Sequence, residues 1–338
     1  MRIALLFNEP APDAPASDLD VYTQVDAVHR ALTGLGHECL SMGCTLDLGA
    51  LRERLVATRI DCVFNLVESL GGTDRLQVLV PMLLDSMNIS YTGTNAAAML
   101  ASGDKVLVKQ GLVTHGLPTA PWFTLAPGSP AFVPGKYIVK ARYEHASVGI
   151  DDSAVIETCD GTLLADMIRH RWHLSGHEMF AEQFIDGREF NISVLADGAG
   201  TGRALVPAEI DFSAYPEGKP RIVGYDAKWS ESSFEYNATP RSFAFIATDS
   251  TLLSSLQSLS ENVWQHFGLG GYARIDYRVD EQGAPYILEI NTNPCLSPDA
   301  GFAAALDVSD IDFATAMEQI VVDAMRSNSR GEVAGCRQ

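Results

Sequence analysis

No apolar run in this chain approaches the roughly 18 residues that a membrane-spanning helix needs. The opening MRIALLFNEP is apolar, but it carries one arginine and no cleavage-site pattern follows. It reads as a first β-strand rather than a signal peptide. Cysteines are few: Cys39, Cys44, Cys62, Cys159, Cys295 and Cys336 are scattered, and none sits in a C-x-x-C pair. That spacing excludes a zinc knuckle and a disulfide framework and makes a reducing, cytoplasmic setting the default. Basic residues are also scarce, 24 Lys and Arg against 43 Asp and Glu, for a net charge of −19. Such a balance argues against nonspecific binding to DNA, RNA or anionic membranes. It leaves a nucleotide open, because a few local cations are enough to hold phosphates. There is no internal repeat and no low-complexity tract, which excludes a repeat array.

What is present is a chain of 338 residues, 46% of them hydrophobic, enough for two or three domains with real cores. Residues 1–103 alternate β and α signals: a strand at Ile3–Phe7, a helix carrying Val21, Val25, Val28 and Leu32 and ending at Gly36, and a strand at Ile60–Leu66. A helix at Leu76–Met87 and a short strand at Ile89–Tyr91 follow. The order β-α-β-α-β predicts an α/β class with a small parallel sheet covered by helices on both faces. Ligands of such sheets lie beyond the carboxyl ends of the strands. Glu68 falls there, either as a binding carboxylate or as a plain turn residue. The proline-rich segment Glu9–Asp20 is a substrate loop or a connector. Residues 104–184 read as a second lobe, with a helix over Asp104–His115, a strand ending at Lys140, the turn-prone RYEHASVGI at Arg142–Ile150, and a strand over Glu178–Phe184. Residues 185–327 form a third lobe, in which Ala204–Asp211 reads as a strand and Thr251–Phe267 as a helix. A polar tail covers 328–338.

The stretch Gly271–Pro298 carries the densest chemistry. It reads as two strands, Tyr272–Val279 and Pro285–Ile290, joined by a turn holding Asp280 and Gly283. Side chains two apart on a strand share a face, so Arg274 pairs with Asp276 and Glu289 with Asn291. If the strands are antiparallel, two carboxylates, a carboxamide and a guanidinium meet. Oxygen donors of this kind suit a hard cation such as Mg2+ bridging to nucleotide phosphates, and the arginine would offset charge on a transferring phosphoryl group. The alternative is a surface hairpin with ordinary salt bridges. Against it, Tyr286–Ile290 is apolar around Glu289, where an unpaired carboxylate is expensive.

In order along the chain, ISYTGTN (89–95), Asp104-Lys105, GLPTAPW (116–122), Lys140, HASVGI (145–150), EQFIDGREF (182–190), PAEI (207–210), YDAKW (225–229) and the hairpin resemble an ATP-grasp carboxylate–amine ligase of the D-alanine–D-alanine ligase type. The resemblance implies three domains around ATP, the first of them a Rossmann-like substrate domain. It implies Lys105 and Lys140 on the ATP phosphates, Glu182 and Ile185 on adenine, and Glu189 on the ribose. Two Mg2+ ions, with Mn2+ as a substitute, would be held by Asp276, Glu289 and Asn291. Arg274, Ser147 and Lys228 would serve catalysis. The partners would be a small-molecule carboxylate and amine, with no nucleic acid and no membrane, and family members often form homodimers.

The departures fall where substrate is chosen. The family's N-terminal Gly-Gly, Ser and Glu are replaced by NEPAPDAPASDLD, in which Asp18 or Asp20 is the candidate amine contact. Glu68-Ser69 stands for His-Gly, Ala146-Ser147 for paired serines, and Trp229 for a tyrosine. Ala300 stands for a serine that binds the second D-alanine, and Ser297 lies nearby. The expectation is therefore a ligase for amino acids or small peptides other than D-alanine. A true D-alanine–D-alanine ligase and a silent nucleotide-binding module are the competing readings.

Overall fold

A computed structural model describes residues 1–11, 14, 16–145 and 147–335, with side chains described for all of these except 16–18 and 327–335. Asp18 as a side chain, Ala146 and Cys336 therefore lie outside the described residues. Among the described residues no helix is long and apolar enough to cross a membrane.

The N-terminal unit is a four-stranded parallel sheet in the order β2-β1-β3-β4. It is built from β1 (Arg2–Asn8), α1 (Ala16–Gly34), β2 (Glu38–Cys44), α2 (Leu48–Thr58), β3 (Cys62–Leu66), α3 (Leu79–Ser86) and β4 (Ser90–Tyr91). The parallel sheet agrees with the sequence reading, but β2 and α2 were not expected. The strand ECLSMGC has no β-branched residue and lies at the sheet edge, partly exposed, so it lacks the usual strand signal. The central strands β1 and β3 are buried throughout except at the ends of β1.

After α4 (Ala96–Ser102) comes α5 (Lys105–Thr114). Asp104 caps α5, its side chain accepting from the N–H groups of Val106 and Leu107 at 2.9 and 3.3 Å. A second sheet, ordered β5-β8-β6-β7, contains β5 (Trp122–Phe123), β6 (Gly135–Ala141), β7 (Val155–Thr158) and β8 (Met179–Gln183), with α6 (Gly161–Ser175) packed on it through Leu164 and Ile168. The third sheet is ordered β12-β11-β9-β13-β14, with β10 paired to β9. Its elements are β9 (Arg188–Ala196), β10 (Gly202–Ala204), β11 (Ala208–Ile210), α7 (Tyr225–Trp229), α8 (Phe234–Asn237), β12 (Arg241–Ser242), α9 (Ser250–Phe267), β13 (Tyr272–Val279) and β14 (Pro285–Asn291). The span read as one strand, Ala204–Asp211, is two short strands, with proline at 207 interrupting the ladder between them.

Two helices close the chain, α10 (Gly301–Val308) and α11 (Phe313–Gly335). The first was hidden in the sequence behind Pro294, Pro298 and Gly301, which read as loop. The units share cores. Val108 and Leu112 of α5 are buried with Phe190, Ile192, Ile275 and Ile287 of the large sheet. Phe7 and Val25 of the first unit are buried with Tyr272, Phe302, Met317 and Ile320. At the junction Gly271, at φ +65, lies so close to Gly93 that a Cβ there would meet its backbone nitrogen at 2.7 Å.

Candidate active site

A cleft of about 740 Å³ runs between the three sheets. It collects Lys105, Lys140, Ser147, Glu182, Ile185, Glu189, Lys228, Trp229, Arg274, Asp276, Glu289 and Asn291, together with Asp20 and Glu68. Ser297 lies just behind the wall, 1% exposed.

The hairpin sets the floor. β13 and β14 are antiparallel, with Arg274 opposite Asn291 and Asp276 opposite Glu289. The register then shifts, Tyr277 facing Ile287, so Leu288 is the extra residue of a bulge beside the site. Arg274 donates from Nε and Nη2 to the two Asp276 oxygens at 2.7 and 2.8 Å, and Asn191 Nδ2 donates to Asp276 at 2.8 Å. Glu289 faces Lys105 at 3.7 Å and is hydrogen-bonded to His145 Nδ1. Burial works against the Glu289 carboxylate, but Lys105 and His145 hold its pKa well below the usual range. Both Asp276 oxygens and Glu289 Oε1 are thus met by a cation or an amide. Among the described residues no group of three or more His, Cys, Asp and Glu is placed to hold a metal alone. Two carboxylates and a carboxamide fit Mg2+ that keeps phosphate oxygens and water as its remaining ligands.

The end expected to take the nucleotide is built from β6 and β8. Glu182, 2% exposed, receives Lys140 on Oε1 at 2.5 Å and forms an ion pair with Lys109 through Oε2. Lys109 is fully buried and also donates to Thr119 Oγ1 at 2.9 Å and to the Ala120 carbonyl at 3.0 Å. Burial opposes the Glu182 charge, yet the two lysines overcome it and lower its pKa, while burial pulls Lys109 down. Glu189 is tied to Arg278 at 2.7 Å.

Sequence reasoning missed Lys109, Arg241 and His145. A signal for Lys109 existed, since it stands one helical turn from Lys105 and shares its face. Arg241 sits on a two-residue strand after a proline, and no pattern marks it.

Two loops close over the cleft. Ser147, at φ +57, donates its hydroxyl to the Val223 carbonyl at 2.9 Å, and Tyr225 N–H donates to Ile150 at 3.1 Å. Lys228 Nζ donates to the His145 carbonyl at 3.4 Å. Burial, then Arg274, lowers the Lys228 pKa. The segment before Ser147 is also braced from below: Glu144 accepts from Thr73 Oγ1 at 2.8 Å and Asp74 N–H at 3.2 Å.

At the far end, Gln24 Nε2 of α1 donates to Glu68 at 2.7 Å. Burial, with Asp74 and Asp20 adding like charge, lifts the Glu68 carboxyl to about 7 against the pull of Gln24 and Arg274. Asp20 accepts from Ser297 Oγ at 2.9 and 3.0 Å and from Cys295 Sγ at 3.0 Å.

This geometry can be set beside known proteins. The family model for the D-ala D-ala ligase C-terminus matches residues 135–322. The D-alanine–D-alanine ligase of Geotalea uraniireducens is 27% identical over 304 residues, covering 88% of each chain. That of Pseudomonas putida is 28% identical over 330 residues, covering 94% of this chain and 93% of its own. Among solved structures, the D-alanine–D-alanine ligase of Bacillus anthracis complexed with ATP aligns at TM-score 0.73 and 18% identity, over 98% of this chain and 99% of that one. The D-alanine–D-alanine ligase of Coxiella burnetii aligns at 0.72 and 16%, over 99% and 97%. With a match across more than half its length, the chain belongs to the D-alanine–D-alanine ligase family and is an ATP-dependent carbon–nitrogen ligase of the ATP-grasp fold.

Proposed function

We propose that this ligase uses ATP with Mg2+ to activate a substrate carboxylate as an acyl phosphate, and that its substrates are amino acids or small peptides other than a pair of D-alanines. The observation that carries the second part is the substrate end. A carboxyl lifted to about 7, Glu68, stands there. Beside it, Asp20 is bound by both Ser297 and Cys295. Glu68 occupies the place of the histidine in the family's His-Gly motif, and Ala300 that of the serine read as the second D-alanine's contact.

In the first step a carboxylate oxygen attacks the γ-phosphorus of ATP, the bond to the β-phosphate bridging oxygen breaks, and ADP leaves. Lys105, Lys140 and Arg274 lower the repulsion between the two anions. Asp276, Glu289 and Asn291 would hold Mg2+, which supplies charge neutralisation at the phosphates. In the second step an amine nitrogen attacks the acyl carbon, inorganic phosphate departs, and the nitrogen loses a proton. The contacts between 142–150 and 223–228 exclude water that would otherwise consume the acyl phosphate. Glu68, once ionised, pairs with the ammonium group of the carboxylate-donating substrate.

The test is ADP release with Mg2+ over a panel of D- and L-amino acids, singly and in pairs, with D-alanine alone as reference, and hydroxylamine added to capture acyl phosphate. Turnover with a pair other than two D-alanines supports the reading. The names of the relatives favour the D-alanine pair, and turnover on D-alanine alone establishes that instead. Nucleotide binding with no turnover on any pair removes the ligase assignment for these substrates.

A further inference from the structure

Arg241 is a cleft cation without an assigned role in the two steps. It stands on β12, opposite Ile210 in the ladder, and lines the same cleft as Arg274. The arginine has no carboxylate within ion-pair distance among the described residues, whereas Arg274 is held by both oxygens of Asp276. Its guanidinium lies over Gly301, so near that a Cβ there would meet Nε and Nη2 at 3.5 Å. Neither Ala300 nor Gly301 carries a polar side chain. The charged and thiol groups that face it are Arg274, Asp299 and Cys295, and burial with the field of Arg274 lowers its pKa. Two guanidinium groups line one cavity, and only Arg274 has a carboxylate in ion-pair contact among the described residues, which leaves the Arg241 fork unfilled. An anion entering between them satisfies it, and a planar carboxylate matches the fork of an arginine.

Glu68, held by Gln24, also lines the substrate end and is assigned above to the carboxylate donor. The amine-bearing substrate is left the wall of Trp229, Arg241 and Gly301. We propose that Arg241 is a specificity-determining residue that binds a carboxylate of the amine-bearing substrate, so that this substrate is an amino acid or peptide and not a simple amine. This rests on the ligase reading above. Arg241 takes over, with a charged fork, the anchoring that the family resemblance places on a serine at Ala300.

The experiment compares each amino acid that serves as amine substrate with its α-carboxamide, in wild type, Arg241→Met and Arg241→Lys. Acyl-phosphate capture by hydroxylamine is measured alongside, with the carboxylate donor alone. Wild type should prefer the acid over the amide by about tenfold or more in kcat/KM, the range of a charge-assisted hydrogen bond. Arg241→Met should bring the two within about threefold through KM for the amine substrate, with Arg241→Lys in between. KM for ATP and the hydroxylamine rate should not move, a pattern that a general structural defect would not produce. An acid preference that survives in Arg241→Met, or a wild type that accepts the amide equally, overturns the proposal. Failure of the ligase reading looks different, since wild type would then give neither hydroxamate nor amide.

Discussion

Replacing Lys109 by methionine tests the charge arrangement at the nucleotide end. Glu182 is 2% exposed and Lys109 fully buried, so neither has water to fall back on. Each Glu182 oxygen is met by a separate lysine, Lys140 on one and Lys109 on the other. Methionine keeps the aliphatic volume but removes that countercharge and orphans the Thr119 and Ala120 acceptors. Breaking a buried pair by deleting one partner costs about 3–5 kcal/mol. In a scanning calorimeter that should lower the melting temperature by roughly 4–7 °C for a chain of this length. The double variant Lys109→Met/Glu182→Gln should lose less than the sum of the single ones, with a coupling of about 1 kcal/mol or more. The effect has a pH sign. The two lysines depress the native pKa of Glu182 below 4.5, so its stabilisation is complete above that pH and fades as pH falls through the native value. KM for ATP should rise too, because Glu182 then has only Lys140 and competes with the phosphates for it. A loss under about 1 kcal/mol, or strict additivity in the double variant, would refute the reasoning.

Asp276→Asn and Glu289→Gln should each lower kcat by about 10²-fold or more while the fold survives, with some loss of melting temperature because each also gives up an ion pair, to Arg274 or to Lys105; activity near wild type in either variant, by ADP release, removes the metal assignment. For Glu68, log kcat/KM for the carboxylate donor should fall below about pH 7 as the carboxyl takes up its proton, and Glu68→Gln should flatten that limb while lowering the plateau; an unshifted break in the variant would assign the titration to another group. Gly224→Ala would place a Cβ 2.6 Å from the Ile150 carbonyl and push the two closing segments apart. It should leave hydroxamate formation larger relative to amide formation and raise uncoupled ATP hydrolysis; tight coupling in the variant would show that this contact does not exclude water.

The hairpin was legible in the sequence because its polar residues alternate along strands of buried apolar residues, and a period of two survives without tertiary information. The ladder places Asp276 opposite Glu289 and Arg274 opposite Asn291, as that period demands. Lys140 was legible as a charge ending an apolar run, and Glu182 only through the family resemblance. Partners drawn from elsewhere were not. That Lys109 answers Glu182, or that His145 lies on Glu289, depends on how α5 and the loop after β6 dock, and nothing local encodes it. The strand β2 was missed because it borrows its stability from β1 rather than from its own side chains. The helix α10 was missed because prolines before it mask an N-terminus that needs no capping side chain.

The bonds from Asp20 to Ser297 and Cys295 span the chain from its first helix to the segment after its last strand. Leu296 N–H adds a third tie by donating to Gln24 at 3.0 Å. On the proposed reading, substrate preference is encoded in two remote stretches at once. A chimera that receives only the amino-terminal third of a relative would pair a foreign α1 with the resident 295–297 turn, and exchanging both together is the minimal graft that carries selectivity across.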